Sequence, residues 1–143
     1  YPCSDTEPVV MVQKEVTIMR GSEKEGYPFL NDIPAAISVI SVAVKNKPTI
    51  FINTTTGKRH YSDINDKVDM LRHIILVLHA IINTDCSALV LSALGCGLEG
   101  HPPEEVALMF KREIYRVGER MPFIYFAVLD ETNRDPKSIG HFE

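Results

Sequence analysis

The stretch ALVLSALGCGLEGHPPEEVALMF, residues 88–110, joins a short apolar run to an amphipathic segment through three glycines. Ala88–Leu94 has the length and composition of a buried β-strand. Pro103–Val117 begins with a proline, a favoured first residue of a helix, and Gly118 follows its last apolar position. The apolar residues of this segment recur at helical spacing at Val106, Phe110, Ile114 and Val117. The stretch therefore predicts a strand, a glycine turn and a helix in direct succession.

The rest of the chain alternates between strand-like and helix-like segments. Pro34–Val44 is a nearly continuous apolar run, typical of a strand buried on both faces. The segment Asp66–Ile82 carries apolar residues at a spacing of three and four, with Asp63 or Asn65 available as its cap. The remaining predicted strands are Val9–Met19 and Phe123–Leu129. This order predicts a single α/β domain over residues 1–143, with right-handed crossovers and a largely parallel sheet covered on both faces.

Composition excludes several classes of protein. The chain has 143 residues, 45% of them hydrophobic, and a net charge of -4, so it can bury a core but carries no basic excess for nucleic acid. No segment is long and apolar enough for a transmembrane helix, which predicts a soluble protein. Three cysteines without a CxxC pair favour a reducing compartment, so the protein is expected to be cytoplasmic, or nuclear in a eukaryote, and not secreted. The chain begins YPCSD without an initiator Met, which predicts a piece of a longer protein. The spacing of its cysteines and histidines indicates no disulfide framework and no metal site.

The glycine turn is the strongest candidate for a binding site. Ligands of parallel α/β sheets bind beyond the carboxyl ends of the strands, where this turn is expected. Glycines permit close approach to the backbone, and a helix N-terminus offers amides and partial positive charge to a phosphate or carboxylate. A plain tight turn is the structural alternative. A dinucleotide-binding unit fits poorly because the next strand ends at Asp130, too late for its acidic residue, and no Lys-Ser or Lys-Thr completes a P-loop.

The segment LVLSALGCGLEGHPPEEVALMFKREI, residues 89–114, resembles the second ligand loop of macrodomains. It is most similar to that of the microbial-type poly(ADP-ribose) glycohydrolases, where a strand ends in GCG and G-x-P-P-E-E-V-A follows. VTIMRG, ISVISVAVKN and FAVLD resemble further segments of that family. The resemblance extends from about Val9 to Asn133. It implies a three-layer α/β/α macrodomain whose sheet is incomplete on its N-terminal side.

The resemblance also implies ligand-binding residues. ADP-ribose or an ADP-ribosylated protein would be the partner, with its diphosphate wrapped by main-chain amides of the turn. The residues implied in this loop are Ser92, Ala93, Leu94, Gly95, Cys96, Gly97, Leu98, Glu99 and Gly100. On the adenosine or ribose side they are Phe126, Asp130 and Asn133, with Asn46 a further candidate for the crevice. No cofactor is implied, and either a complementing N-terminal segment or a homo-oligomer is expected to complete the sheet.

The family's catalytic segment, a glycine triplet followed by Gln-Glu-Glu, does not occur in these residues. Hydrolysis of a glycosidic bond needs a carboxylic acid that protonates the leaving oxygen, so we assign no catalytic residue to this chain. Glu99 is expected to point to solvent, and Glu104 and Glu105 are expected to be structural. Cys96 at a helix N-terminus would have a lowered thiol pKa, but no partner histidine is evident and tight packing is its expected role.

Two main hypotheses follow. In the first, the chain is the C-terminal part of a protein resembling microbial-type poly(ADP-ribose) glycohydrolases, whose catalytic portion lies elsewhere. In the second, it is a non-catalytic reader of ADP-ribose or a degenerate scaffold. A fragment of a nucleotide-dependent oxidoreductase is a third alternative.

Overall fold

The computed structural model describes residues 8–32, 37–82, 84, 86–118 and 123–128. The strands are β1 Val10–Val16, β2 Ile37–Val42, β3 Ile50–Ile52, β4 Arg59–Tyr61, β5 Ala88–Leu91 and β6 Phe123–Phe126. The helices are α1 Ile64–Ile82 and α2 Pro103–Val117, with a short 3-10 helix at Glu23–Glu25. The structure thus confirms the α/β class, and it places α2 at the predicted residues.

Within the described residues the strands form three two-stranded sheets. Strands β5 and β6 are parallel, whereas β1–β2 and β3–β4 are antiparallel. Among the described strand pairs, only β5–β6 therefore has the parallel relation that was predicted for most of the sheet. A parallel crossover requires a long connection that is usually helical, and the connection from β1 to β2 contains only a three-residue 3-10 helix in its described part.

The hairpin of β3 and β4 was not predicted, because its strands are only three residues long. The composition of residues 53–66, NTTTGKRHYSDIND, is typical of a turn. In the structure the Asn53 side chain closes that turn by accepting hydrogen bonds from the amides of Thr55 and Thr56, at 2.9 and 3.1 Å. The turn chemistry was therefore visible in the sequence, but the flanking strands were too short to give a recognisable alternation.

Burial alternates along β5, with Leu89 and Leu91 each 8% exposed and Val90 66% exposed. The buried pair joins the core formed with the two helices. In β2, Ile37 is 39% exposed, so the predicted burial of that strand on both faces is wrong in the described structure. Its long apolar run reflects a strand that the described residues cover incompletely.

The core lies between the two helices and the strands beside them. The most deeply buried apolar side chains are Met70, Ile74 and Leu78 of α1 and Val106 and Phe110 of α2. Asp63 caps α1, because its side chain accepts a hydrogen bond from the amide of Asn65 at 2.8 Å. Among the described helices, none combines the length and apolar character needed to span a bilayer.

Replacing Val106 by Asp tests the register of α2. The Val106 side chain is 0% exposed, so an ionised carboxylate there would be buried without a designed partner. We expect a loss of more than about 4 kcal/mol in the free energy of unfolding, measured by urea denaturation. Leu108→Asp is the matched control because Leu108 is 59% exposed on the same helix, and it should change stability by only about 0.5 kcal/mol. Equal losses for both variants would contradict the assigned inward face.

Candidate functional site

The glycine turn follows the carboxyl end of β5 and leads into α2. Leu91 of β5 pairs with Phe126 of β6, and the amide of Ala127 donates to the Leu91 carbonyl at 2.7 Å. The last residues of both parallel strands therefore reach the same edge, and the turn begins there. This is the position that parallel topology favours for a ligand site.

Part of the turn is occupied by its own hydrogen bonds. The amide of Leu94 donates to Ser92, Cys96 to Ala93, Gly100 to Gly97 and His101 to Gly95, at 2.9, 3.0, 3.1 and 2.9 Å. Amides that are paired in this way are not free to bind phosphate. Within Ser92–Gly100 the amides of Leu94, Cys96 and Gly100 are therefore occupied, and the expectation that this loop binds a ligand stays a prediction for its other amides.

Among the described residues, the longest run of consecutive turn amides without an acceptor is Gly97–Glu99, and the amides of Ala93 and Gly95 also have none. The Leu98 side chain in this run is 82% exposed. The three residues of the run precede the first turn of α2, so the amides and the positive end of the helix dipole lie close together in sequence. Three consecutive unpaired amides are chemically suited to accept an oxyanion.

Glu99 lies beside these amides rather than away from them. The residue is partly buried, and its Oε2 atom lies 3.9 Å from the position that a Cβ atom on Gly97 would occupy. Because Glu99 is partly exposed, its expected orientation toward solvent stays a prediction. Its carboxylate would repel an anion at Gly97 unless the side chain rotates away.

Gly95 fixes the turn to the core. Its φ is +70°, and an added Cβ would lie 2.8 Å from Cδ2 of His101, 3.0 Å from Cε of Met70 and 3.1 Å from Cγ2 of Val44. Both the left-handed backbone and the close neighbours exclude a side chain at this position. Gly95 is thus required by the packing, whereas a Cβ atom at Gly97 would meet only Glu99 Oε2, at the ordinary contact distance of 3.9 Å.

His101 was not identified from the sequence as a structural residue, and it is the main anchor of the turn. It is 1% exposed, its Nε2 donates to the Lys45 carbonyl at 2.7 Å, and its Nδ1 accepts from the Tyr61 hydroxyl at 2.8 Å. Burial lowers the pKa of the imidazole, which favours the neutral form that can accept at Nδ1. A single histidine in a polar turn gives no periodic pattern, so no sequence signal identified this role.

The segment after β2 lies against the turn through two backbone contacts. The Lys45 carbonyl accepts from His101, and the Lys47 amide donates to the Glu99 carbonyl at 2.8 Å. Asn46 stands between these two residues and is exposed. The structure therefore brings Asn46, a predicted crevice residue, next to the glycine turn, together with Lys47, which the sequence did not single out.

A buried carboxylate binds two residues of the segment after β2. Asp66 is 4% exposed and pairs with the Lys45 ammonium, and it also accepts from the Thr49 amide at 2.8 Å. Burial acts to raise the Asp66 pKa, but Lys45 and Thr49 together outweigh it and hold the pKa below its ordinary value. Asp66 is therefore an ionised structural group.

Glu105 plays a similar part at the start of α2. It accepts from His60 at 3.0 Å and from the Tyr61 amide at 3.2 Å, and it lies 2.6 Å from the Lys67 ammonium. Burial opposes ionisation, but these three partners lower the Glu105 pKa. The structure agrees with the structural role expected for Glu105, and it includes His60 among the partners of that carboxylate.

Cys96 packs as expected. Burial, the largest effect, raises the pKa of its thiol to about 12, in spite of the nearby helix N-terminus. Its Sγ donates to the Leu94 carbonyl at 3.5 Å. A thiol with so high a pKa is not a nucleophile at neutral pH.

The predicted adenosine-side residues are only partly described. Phe126 lies at the carboxyl edge of β6, and its ring packs edge-to-face on Phe110 at 5.4 Å between centroids, so it contributes to the core. Asp130 and Asn133 lie outside the described residues. Among the described residues, no group of three or more His, Cys, Asp or Glu side chains is arranged to hold a metal ion.

Substitution of Gly95 by Ala tests whether this glycine is needed to pack the turn against the core. The added methyl group must tolerate a positive φ and three close neighbours, so we expect a loss of about 2 to 4 kcal/mol in the free energy of unfolding. Gly97→Ala is the control, because the nearest atom there is 3.9 Å away and its φ is not in the left-handed range. It should cost less than about 1 kcal/mol by denaturant unfolding. Similar losses of unfolding free energy for both variants would contradict the conclusion that packing requires a glycine at position 95 but not at position 97.

The paired carboxylates predict acid sensitivity. Asp66 and Glu105 have folded pKa values below the ordinary values of 3.8 and 4.5, so their stabilisation is complete above those values and is lost as pH falls through the lower folded ones. The free energy of unfolding should therefore fall with decreasing pH below roughly pH 5. Glu105→Gln should flatten this dependence, whereas Glu23→Gln, at an exposed position, should leave it unchanged. If the unfolding free energy of Glu105→Gln and of the parent chain depended on pH in the same way, the assignment of Glu105 as a paired, ionised carboxylate would be contradicted.

Comparison with protein-family models gave no match, and comparisons with curated proteins and with solved structures gave no significant one. The likeness of residues 89–114 to macrodomains is therefore a resemblance of sequence motifs alone. The case for a function depends on the chemistry of the glycine turn.

Proposed function

We propose that the chain is an ADP-ribose-binding domain of the macrodomain type, forming the C-terminal part of a protein resembling microbial-type poly(ADP-ribose) glycohydrolases. The observation that carries the proposal is the run of unpaired amides at Gly97, Leu98 and Glu99 before α2. A diphosphate presents several acceptor oxygens and negative charge, which match amides at a helix N-terminus. In this proposal β5, β6 and the two helices are part of a three-layer α/β/α arrangement.

The ligand would extend from the turn toward Asn46. This residue is exposed and lies between Lys45 and Lys47, which both contact the turn through their backbone. An amide side chain can donate to and accept from ribose hydroxyls or an adenine edge. Asp130 and Asn133 complete the proposed nucleoside side, as the resemblance implies. The natural partner is then ADP-ribose or an ADP-ribosylated protein.

Binding without hydrolysis is the second candidate, and the carboxylates favour it for this chain. A general acid at neutral pH needs a raised pKa, but Asp66 and Glu105 are held ionised by Lys45, Lys67 and their other partners. Cleavage would require a glutamate motif outside these residues. The free thiols of Cys86 and Cys96 suit the reducing environment of the cytoplasm or nucleus.

Calorimetry with ADP-ribose tests the binding proposal. Gly97→Val should weaken binding at least about tenfold, because a branched side chain would stand where phosphate must approach the backbone. Glu99→Gln should strengthen it about fivefold, because the substitution removes a like charge roughly 4 Å from the proposed site. The opposite signs at neighbouring positions distinguish a diphosphate at this turn from binding elsewhere.

Leu108→Ala is the control, since Leu108 is exposed on α2 at a distance in sequence from the turn and should leave affinity unchanged. Unchanged ADP-ribose affinity in Gly97→Val would refute the proposed contact. Tighter binding of NAD than of ADP-ribose would favour the oxidoreductase alternative instead. Release of ADP-ribose from a modified peptide by this chain alone would contradict the assignment of binding without hydrolysis.

A further inference from the structure

The two hydrogen bonds of the His101 ring fix its protonation state. Nε2 lies 2.7 Å from the Lys45 carbonyl oxygen, and Nδ1 lies 2.8 Å from the Tyr61 hydroxyl oxygen. A carbonyl oxygen can only accept a hydrogen bond, so Nε2 must carry a proton. In a neutral ring Nδ1 is then the acceptor, and the Tyr61 hydroxyl donates to it. The pair of bonds therefore fits the neutral ring and is incompatible with a second proton at Nδ1.

The Tyr61 hydroxyl remains a donor at neutral and acid pH. The residue is 8% exposed, and burial, the largest effect, raises the pKa of its hydroxyl. Within the described residues, the bond to Nδ1 is the one that the structure gives to this hydroxyl. If Nδ1 gained a proton, either this bond would break or the hydroxyl would accept it and lose the acceptor for its own proton. Both outcomes leave a buried polar hydrogen unpaired, which is costly.

Charged groups near His101 act against its burial. The ring is 1% exposed, and burial is the largest effect on its pKa, which it lowers. Three carboxylates act in the opposite direction, Asp66 and Asp69 of α1 and Glu99 of the turn. The ammonium of Lys45 pairs with Asp66 and so weakens the attraction of that carboxylate for an imidazolium. The balance holds the pKa of His101 below its ordinary value of 6.5.

The groups on β4 and at the start of α2 do not reverse this balance. The thiol of Cys96 is uncharged, because burial raises its pKa to about 12. Glu105, which also bonds to the β4 backbone, lies 2.6 Å from the Lys67 ammonium. Arg59 of β4 carries a positive charge that acts on Cys96. Of these groups, none supplies an unpaired negative charge that would stabilise an imidazolium.

The position of the ring determines how the glycine turn is held. Gly95 packs against Cδ2 of His101, and the His101 amide donates to the Gly95 carbonyl at 2.9 Å. Two hydrogen bonds join the turn to the segment after β2, from the ring to the Lys45 carbonyl and from the Lys47 amide to the Glu99 carbonyl. Movement of the ring would remove the first of these bonds and open the packing of Gly95.

We propose that His101 is a pH-sensitive switch for the glycine turn. The neutral ring holds the turn against β4 and the segment after β2, and a proton taken from solvent at Nδ1 displaces the ring and frees the turn. Since the folded state favours the neutral ring, the turn is held at neutral pH and is released as pH falls below the ordinary histidine value. The proposal concerns the turn itself and does not depend on the proposed function.

An NMR titration of the folded chain tests the switch. We expect the His101 ring to titrate with a midpoint below pH 6.5. The protection factors of the Lys47 and His101 amides against hydrogen exchange should fall at least about tenfold across the same midpoint, because both amides depend on the held turn. The amide of Ile74, in the middle of α1 and 0% exposed, should keep its protection factor there. This difference separates local release of the turn from unfolding of the chain.

Two tyrosine variants test the role of the hydroxyl. Tyr61→Phe keeps the aromatic ring but removes the donor that stabilises neutral His101, so the midpoint of the switch should rise by about half to one pH unit. Tyr115→Phe makes the same chemical change at an 84% exposed residue of α2 and should leave the midpoint unchanged. His101→Gln retains an amide donor and an acceptor but does not titrate, so the protection of Lys47 should be constant between about pH 7 and pH 5.

Three results would overturn the proposal. The first is a His101 midpoint at or above pH 6.5, or protection of the Lys47 amide that persists through the midpoint. The second is loss of Ile74 protection at the same midpoint, since the chain would then unfold as a whole. The third is an equal shift of the midpoint in Tyr61→Phe and Tyr115→Phe. These measurements on the parent chain and the tyrosine variants decide the question even if His101→Gln does not fold, and none of them uses ADP-ribose, so their failure leaves the proposed function standing.

Discussion

The packing of Gly95 against His101, Met70 and Val44 is the contact on which the described structure depends. It brings together the segment after β2, helix α1 and the start of α2 at one point of the chain. The His101 amide also donates to the Gly95 carbonyl, so the turn is closed by the residue that anchors it. Between these two fixed residues, the amides of Gly97–Glu99 have no acceptor among the described residues, and the Leu98 side chain is 82% exposed.

The same anchor determines the electrostatic character of the site. His101 holds the Lys45 carbonyl, and the Lys45 ammonium neutralises the buried Asp66. At the start of α2, Glu105 is matched by Lys67 and His60. The buried carboxylates are thus ion-paired within the protein, and Glu99 is the carboxylate that stands beside Gly97. Its repulsion of an anion must be outweighed by the three amides and by the dipole of α2.

The sequence predicted the two helices, because their ends and their apolar spacing can be recognised from residues close together in the chain. The limits of α2 followed from a proline at its start and a glycine beyond its end, and α1 from its apolar periodicity and the Asp63 cap. Strand pairing was less accessible, because the apolar run of β2 gives no information about the direction of its neighbour. The roles of His101 and Lys47 depend on contacts between residues far apart in the chain, such as His101 with Tyr61. The glycine turn itself was found, but only its packing separates Gly95, which supports the fold, from Gly97, where an added Cβ atom would meet only Glu99 Oε2.

The glycine turn also shares residues with a cavity of about 680 Å³ that is lined by β2 and β5. Ser92 and Leu94 line this cavity, and they also form the beginning of the turn, where the Leu94 amide donates to the Ser92 carbonyl. The start of the turn therefore belongs to the wall of the cavity, whereas its later residues are held by the packing of Gly95 against His101.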